Sequence, residues 1–302
     1  MEQKTIYALG FFDGVHLGHQ ALLAECRRMA DELGCKAGVV TFLGHPDRLV
    51  HGKTPPLINT PADRSRLLRH YGMDTVIELP FDRKLMKMPY LTFFHMLLSK
   101  YGAAGLVCGE DFRFGNLGEG NAEKLKIACA ETGIPCTVVP EQKLDGITVS
   151  STHIRSLLEQ GDMEGAIRFL GHPHIFTGIV VPGRHLGRTI GIPTANLVLP
   201  DSVQMPGFGV YVCRTTVDGI PYPAVTNVGI RPTVEGWGVT VEPWILDFDG
   251  DLYGKPLTLE FFKYLRPERR YPSLTELQAE IQKNAAETRK YFEIFLYNGE
   301  NL

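Results

Sequence analysis

Five short runs of almost continuous apolar residues occur in the first half of the chain, and helical patterns separate them. Runs of this kind, without polar alternation, are typical of strands that are buried on both faces. Strands that alternate with helices imply right-handed crossovers and a parallel sheet, so ligands should bind beyond the carboxyl ends of the strands. The expected strands are Thr5–Phe12, Gly38–Phe42, Thr75–Leu79, Gly105–Gly109 and Thr137–Val139.

Two of the intervening helices carry clear signals. Leu22, Cys26 and Met29 form the apolar stripe of a helix that we expect to end at Gly34. Thr60-Pro61 predicts a second helix start, because threonine caps a helix and proline suits its first position. The first half is therefore predicted to be an α/β domain.

The pattern changes near residue 172. Short apolar runs follow, separated by clusters of Pro, Gly, Asn and Asp, which favour a small antiparallel barrel or sandwich. These runs are Gly178–Val181, Val210–Thr215, Thr240–Leu246 and Leu257–Phe262. A last helix is expected to begin near Ser273 and to continue towards Phe292. Because one hydrophobic core rarely serves 302 residues, we predict two domains, 1–172 and 173–302.

Composition narrows the classes of function. The chain has 31 Lys and Arg against 34 Asp and Glu, so its net charge of −3 predicts no general binding of nucleic acid. Its 6 cysteines include no Cys-x-x-Cys pair, which argues against a zinc site or a disulfide framework. No signal peptide and no membrane-spanning apolar stretch is evident. We expect a cytoplasmic protein without a membrane partner, and the sequence predicts no oligomeric state.

The segment after the first strand, GFFDGVHLGHQ, is the most specific candidate site. Glycines allow close backbone approach, and the N-terminus of the following helix attracts anions. His16 and His19 would stabilise charge that develops on nucleotide phosphates, which makes them the candidate catalytic residues. The alternative is that one histidine caps the helix and the other is an ordinary core residue. The candidate binding residues of this segment are Gly10, Phe12, Asp13, Gly14 and Gly18.

A second candidate is the run SSTHIR, which opens a later helix. Ser150, Ser151 and Thr152 offer hydroxyls at the cap, and Arg155 in the first turn could bind a phosphate with two hydrogen bonds. An ordinary N-cap with a solvated arginine would explain the same residues, although the helix dipole disfavours a cation there.

A third candidate, GEDFRFG, follows the fourth expected strand at the same edge of the sheet. Asp111 and Phe112 are the candidate binding residues, because an aromatic ring could flank a planar ligand. Packing of Phe112 and Phe114 against the sheet would explain these aromatics equally well.

In the second half, the run GRTIGIPTANL lacks the spacing of a P-loop, so a different mode of phosphate binding is needed. Thr194 and Asn196 project to the same side if the segment is extended, and their oxygens could complete the shell of a magnesium ion. A turn that ends in asparagine is the alternative. The other candidate binding residues of this run are Gly187, Arg188, Gly191 and Pro193.

Glu242 is an acidic residue within an apolar run that predicts a strand. A carboxylate in such a setting can accept the proton of a substrate hydroxyl, which makes Glu242 the third candidate catalytic residue. Alternation along the strand could equally expose this side chain to solvent.

Together these segments resemble the bifunctional riboflavin kinase/FMN adenylyltransferases of bacteria, the prokaryotic type of FAD synthetase. In the first half, GFFDGVHLGHQ, GEDFRFG and SSTHIR are similar to the adenylyltransferase motifs of that family. In the second half, GRTIGIPTANL, GVYVC, NVGIRPT and LDFDGDLYGK are similar to its riboflavin kinase motifs. The ordered set is more specific than any one motif.

The resemblance implies a Rossmann-like nucleotidyltransferase domain followed by a riboflavin kinase β-barrel with a C-terminal helix. The kinase half would transfer the γ-phosphoryl group of ATP to the ribityl 5′-hydroxyl of riboflavin. Glu242 would act as the base, and Thr194 and Asn196 would hold Mg²⁺ and the phosphates. Arg231 would help to hold phosphate.

For the first half, the resemblance implies that the phosphate of FMN attacks the α-phosphorus of ATP, which gives FAD and releases pyrophosphate. His16 and His19 would stabilise the transition state, while Ser151 and Arg155 would hold the triphosphate. Catalysis by positioning and electrostatics suits phosphoryl chemistry.

The chain departs from the family pattern in places. Leu43-Gly44 stands where an acidic residue and its neighbour are expected, and Asn121 stands where aspartate is usual, though it could cap a helix. Pro243 follows Glu242 and lacks a backbone N–H, which predicts that Glu242 lies on an edge strand. Two alternatives stay open: a riboflavin kinase with an impaired or inactive adenylyltransferase half, and a flavin-binding sensor without turnover.

Overall fold

The computed structural model describes residues 4–45, 49, 52, 54–182, 191–198, 203–233 and 236–297, except for the side chains of 231–237 and 295–297. The chain divides into two compact units, Met1–Ser151 and Thr152–Leu302. Among the described residues, no helix is both long enough and apolar enough to cross a membrane.

The first unit contains a parallel sheet and the helices that connect its strands. In chain order its strands are β1 (Thr5–Leu9), β2 (Lys36–Leu43), β3 (Thr75–Pro80), β4 (Ala103–Gly109), β5 (Arg113–Phe114), β6 (Gly120–Asn121), β7 (Cys136–Val139), β8 (Lys143–Leu144) and β9 (Ile147–Thr148). Its helices are α1 (Leu17–Glu32), α2 (Pro61–His70), α3 (Arg83–Met86), α4 (Tyr90–Tyr101) and α5 (Ala122–Thr132).

The main sheet of this unit has the strand order β3-β2-β1-β4-β7, and its pairs are parallel, as the alternating pattern predicts. β1 lies at the centre and is buried along its whole length. At its carboxyl end Leu9 pairs with Val40 on one side and Cys108 on the other. The turn after β1 therefore lies at the edge of the sheet where ligands bind.

The predicted helix ends are confirmed. Thr60 caps α2 by accepting the backbone N–H of Asp63, and α1 ends just before Gly34. The first strand is shorter than predicted, because it ends at Leu9 and Phe12 adopts a left-handed φ of 58°. A residue in that conformation cannot extend a strand.

The second unit contains two short helices, a closed barrel and a terminal helix. The first residue of its first helix, Ser151, is the last residue of the first unit. The helices of the second unit are α6 (Ser151–Gln160), α7 (Met163–Leu170) and α8 (Leu274–Tyr297). Its strands are β10 (His174–Val181), β11 (Asn196–Val198), β12 (Gly209–Val217), β13 (Ile220–Thr233), β14 (Gly236–Ile245) and β15 (Pro256–Arg266). The order around the barrel is β10-β11-β14-β13-β12-β15, and each neighbouring pair is antiparallel.

The expectation of an edge strand at Glu242 is wrong. β14 pairs with β11 on one side and β13 on the other, since the barrel is closed. Pro243 fits there because its carbonyl accepts the N–H of Ala195 at 2.9 Å, so the proline takes part as an acceptor and needs no N–H.

The terminal helix covers one outer face of the barrel. Ala285 of α8 is fully buried and packs with Val210, Val225 and Leu246, with Trp244 at the margin of the cluster. The α/β domain followed by a barrel and a C-terminal helix is therefore the observed architecture.

Candidate active sites

The turn between β1 and α1 has an unusual backbone. Phe12, Gly14 and Val15 have φ angles of 58°, 84° and 41°. For a β-branched residue such as Val15 this conformation is a real outlier, and each such residue costs about 1–3 kcal/mol. Phe12 and Val15 are both fully buried, so packing holds the turn in this shape. Such turns are typical of functional sites.

Asp13 ties this turn to two other segments. Its buried carboxylate accepts the backbone N–H of Ile58 at 2.8 Å. Its backbone carbonyl accepts the hydroxyl of Ser151 at 2.9 Å. The structure thus brings Asp13 and Ser151 together, although they are far apart in sequence.

His16 and His19 lie together at the start of α1. Their rings stack with centroids 3.6 Å apart and planes 14° from parallel. His16 caps the helix, because its Nδ1 accepts the backbone N–H of His19 at 3.3 Å. That nitrogen must be unprotonated, so a neutral His16 carries its proton on Nε2. The capping alternative therefore describes His16 correctly.

His19 is not a satisfied core residue. Its Nδ1 is buried without a hydrogen-bond partner among the described residues. Burial, and then the nearby His16 and Arg64, lower the pKa of His19 well below its ordinary value. A neutral imidazole at this position can donate one hydrogen bond to a phosphate oxygen.

Arg64 is a residue of this site that sequence reasoning missed. Its side chain is 1% exposed and donates to the carbonyl of Phe11 at 3.2 Å and that of Phe42 at 2.6 Å. It therefore joins the turn after β1 to the carboxyl end of β2. A signal existed: Arg64 occupies the buried stripe of α2 together with Leu67 and Leu68.

Burial lowers the pKa of Arg64, whereas the charges of Asp13 and Glu78 act in the opposite direction. Glu78 Oε1 lies 3.8 Å from Arg64. The guanidinium also lies over the ring of Phe11, 4.8 Å from its centroid. These contacts keep a buried cation beneath the turn.

Two glycines of the predicted set are required by close contacts. A Cβ added to Gly10 would lie 3.0 Å from the ring of Phe12, and one added to Gly18 would lie 3.2 Å from the ring of His16. Glycine at these positions lets the aromatic rings pack directly on the backbone.

The remaining predicted residues of the first half are placed as follows. Ser150 and Arg155 are half-buried, and Thr152 and Asp111 are exposed. Phe112 is half-buried and stacks on Phe114, with centroids 5.4 Å apart and planes at 17°.

Packing explains Phe114, which is a buried member of the core. Of the departures from the family pattern, Asn121 caps α5 by accepting the N–H of Lys124 at 2.9 Å. Leu43 and Gly44 are exposed.

In the barrel, strand register aligns three polar residues. Glu242 on β14 is directly opposite Asn227 on β13. Leu197 on β11 is opposite Val241, and continuing that register by one residue places Asn196 opposite Glu242. Opposite residues of antiparallel strands project to the same face, so these residues form a polar row, Asn196–Glu242–Asn227, across three neighbouring strands.

The row lies on the outer face of the barrel. Val241 is fully buried, whereas its neighbour Glu242 shares a face with Trp244, which packs beside α8. Glu242 is nevertheless only 7% exposed. This burial does not fit the alternative that alternation exposes Glu242 to solvent, and the role of Glu242 as a proton acceptor stays a prediction.

A cleft of about 770 Å³ is lined by Pro243 and Ile245 of β14 and by residues that precede β11, but by none of the three residues of the row. Three predicted residues line it, namely Gly191, Pro193 and Thr194. Its other walls include Phe248 and Tyr253. Apolar walls beside a few polar groups are typical of a small-molecule site.

For three predicted binding residues of the second half, the structure does not describe the side chain. Gly187 and Arg188 lie outside the described residues. Arg231 lies on β13 opposite Gly238, and its side chain is outside the description. No cluster of three or more metal-ligating His, Cys, Asp or Glu occurs among the described residues. Thr194 and Asn196 still offer the hard oxygen donors that suit Mg²⁺ bound largely by water and phosphate.

Asn227 and Glu268 were not singled out by sequence reasoning. Nδ2 of Asn227 donates to Oε1 of Glu268 at 2.9 Å. The signal for Asn227 was its place in NVGIRPT, but nothing local in that run indicates that it faces Glu242. Only the register of two long strands shows this.

Comparison with known proteins gives a consistent result for both halves. A family model described as FAD synthetase matches residues 1–153, and one described as riboflavin kinase matches residues 170–292. A bifunctional riboflavin kinase/FMN adenylyltransferase of Pseudomonas fluorescens is 37% identical over 286 residues, which cover 94% of this chain and 92% of the relative. The protein of that name in Bacillus subtilis is 32% identical and covers 96% of this chain and 93% of the relative.

A solved structure described as a macrolide-efflux protein from Streptococcus pneumoniae has a TM-score of 0.86 and 31% identity, covering 96% of this chain and 95% of its own. That description names another class of function, whereas both family models and the curated relatives named above are flavin enzymes. The chain matches those relatives over nearly its whole length, and the two family models match it one after the other. It belongs to the family of bifunctional riboflavin kinase/FMN adenylyltransferases.

Proposed function

We propose that this chain converts riboflavin to FMN and FMN to FAD, using ATP in each step, with one reaction in each half. The observation that carries the proposal is that each predicted catalytic group has its own structural setting. The stacked pair His16 and His19 lies within Met1–Ser151, and the shielded Glu242 lies within Thr152–Leu302. Both family models match, so the kinase-only and sensor alternatives gain no support.

In the first half, a phosphate oxygen of FMN attacks the α-phosphorus of ATP, and the bond to the bridging oxygen of the leaving pyrophosphate breaks. His16 Nε2–H and the neutral His19 donate hydrogen bonds to the charge that develops on the phosphates. Ser151 holds the turn through Asp13. Binding of the triphosphate by Arg155 of α6 stays a prediction of the family resemblance. The strained turn orients these groups before the substrate arrives.

In the second half, Glu242 accepts the proton of the ribityl 5′-hydroxyl as that oxygen attacks the γ-phosphorus of ATP, and the bond from the γ-phosphorus to the bridging oxygen breaks to release ADP. Shielding of Glu242 keeps water away from the carboxylate. Thr194 and Asn196 would hold Mg²⁺ against the phosphates, and the ion would neutralise charge on the transferring group. We assign the nucleotide to the cleft that Thr194 lines.

We place the boundary between the two activities at 172/173, giving 1–172 and 173–302. α7 ends at Leu170, Gly171 follows in a left-handed conformation, and the first barrel strand begins at His174. A cytoplasmic location is proposed on two grounds. ATP is the co-substrate, and the cysteines are free thiols, as is usual in a reducing compartment.

The test is a chromatographic time course of the purified protein with riboflavin, excess ATP and Mg²⁺, repeated with FMN as the starting flavin. FMN should appear first and FAD should follow, and supplied FMN should also become FAD. A chelator should stop FMN formation. If riboflavin is converted only to FMN and supplied FMN stays unchanged, the first half is inactive and the two-step proposal is wrong.

A further inference from the structure

Asn227 lies between two carboxylates on the outer face of the barrel. On one side it is directly opposite Glu242 in the neighbouring strand. On the other, its Nδ2 donates to Glu268 at 2.9 Å. The side chain is half-buried, and its amide makes no other hydrogen bond to a described residue.

Glu268 fixes which end of the Asn227 amide is presented to the row. An ionised carboxylate only accepts hydrogen bonds, so the amide atom that faces Glu268 must be the nitrogen. The carbonyl oxygen of the amide is then held away from Glu268 as an acceptor, and one N–H is left as a donor. An alcohol both donates and accepts, so it matches this pair of groups.

The segment that carries Glu268 is fastened to the barrel. It follows β15 directly, and Arg266 at the end of that strand donates to Asn284 of α8 at 3.0 Å. Asn284 is 2% exposed. On β13, a Cβ added to Gly229 would collide with the carboxylate of Glu268. Glycine at that position therefore lets Glu268 lie against the strand.

We propose that Asn227 is a substrate-positioning residue of the kinase site, which binds a secondary hydroxyl of the ribityl chain, and that Glu268 holds its amide in the required orientation. The inference rests on the proposed role of Glu242. The row would then recognise two points of one polyol: Glu242 takes the 5′-hydroxyl, and Asn227 fixes the chain so that this hydroxyl reaches the carboxylate.

The test compares riboflavin with three analogues that each lack one ribityl hydroxyl, at the 2′, 3′ or 4′ position, as kinase substrates. kcat/KM is measured for the unaltered protein and for Asn227→Ala. The unaltered protein should prefer riboflavin to one analogue by about tenfold, which corresponds to one hydrogen bond. Asn227→Ala should lose that preference and keep its preferences against the other two.

A purely structural role would give a different result. It would lower kcat/KM for riboflavin and all analogues by one common factor, and the preference would survive in Asn227→Ala. That outcome, or an unchanged kcat/KM for riboflavin in the variant, overturns the proposal. Conversion of FMN to FAD by the first half of the same molecules checks that equal amounts of folded protein are compared.

Two substitutions of Glu268 test the proposal that this residue orients the amide of Asn227. Glu268→Gln keeps a side-chain oxygen that can accept from Asn227, so it should retain most of the preference. Glu268→Ala should lose it, mainly through a higher KM for riboflavin. The matched control is Glu287→Ala, which removes an exposed carboxylate from α8 and should change neither parameter. Equal behaviour of Glu268→Ala and Glu287→Ala would refute the role of Glu268.

An error in the proposed role of Glu242 can be distinguished from an error in the proposed role of Asn227. If Glu242→Gln still phosphorylates riboflavin at the normal rate, the kinase site lies elsewhere and the inference falls with it. If Glu242→Gln is inactive while Asn227→Ala shows unaltered preferences, the kinase assignment stands and only the inference about Asn227 is wrong.

Discussion

The two candidate sites hold their polar groups in different ways. In the first unit, a single strained turn carries the histidines, and hydrogen bonds to backbone atoms from Ser151 and Arg64 fasten it. In the barrel, the row Asn196–Glu242–Asn227 depends on the register of three strands. A site on one turn can be recognised from a short sequence, whereas a site built by register joins residues whose relation no short segment shows.

The largest expected effect is that of Glu242→Gln on FMN formation. Loss of the base should lower kcat for riboflavin phosphorylation by about 10³-fold. FAD formation from supplied FMN should be unchanged, because the first unit has its own catalytic groups. Product chromatography from each starting flavin measures both rates. A parallel loss of both activities would show that the two sites are not separate.

Arg64→Met should destabilise the turn that carries the histidines in the first unit. It removes a buried cation that joins two strand ends and leaves Asp13 and Glu78 without its charge, at a cost of about 3 kcal/mol. Hydrogen exchange of the β1 and β2 amides measures this loss. Arg69→Met on the exposed side of the same helix is the control and should have little effect. Similar exchange in the two variants would mean that Arg64 does not fasten the turn.

His19→Ala should lower the rate of FAD formation by about 10²-fold and leave FMN formation intact. The cap by His16 depends on the backbone N–H of residue 19, which alanine retains. Helix α1 should therefore persist, as circular dichroism can verify. A normal rate of FAD formation would assign the catalytic role to other groups of the turn.

The smallest effect concerns the stability of the barrel in acid. His174 is fully buried, its ring nitrogens lack partners among the described residues, and burial lowers its pKa to about 3, with a further contribution from His172. In the unfolded chain it would bind a proton below its usual pKa near 6.5. The contribution of neutral His174 to the free energy of unfolding is therefore complete above pH 6.5 and is lost as the pH falls from 6.5 towards 3.

At pH 5 this loss is about 2 kcal/mol, and His174→Phe should lack it. Both tryptophans lie on β14, so their fluorescence during denaturant unfolding reports on the barrel alone. Equal acid sensitivity of the two proteins would mean that His174 is not the titrating group.

Much of the fold could be predicted because its signals are local. Continuous apolar runs gave the parallel strands, and the cap at Thr60-Pro61 gave a helix start. The prediction at Pro243 failed because a missing N–H limits donation only, and the N–H of Ala195, just before β11, needs an acceptor there. Arg64 was missed because a charged residue on a buried helix face is uncommon. Asn227 was missed because register is a non-local property.

Independence of the two sites is tested most directly by mixing Glu242→Gln with His19→Ala and supplying riboflavin, ATP and Mg²⁺. Over a time in which the unaltered protein completes both steps, we expect Glu242→Gln alone to form little FMN and His19→Ala alone to accumulate FMN with little FAD. The mixture should make FAD, because FMN released by one variant is adenylylated by the other. If the mixture makes no FAD, or if either variant lacks both activities, the assignment of one complete site to each half is contradicted.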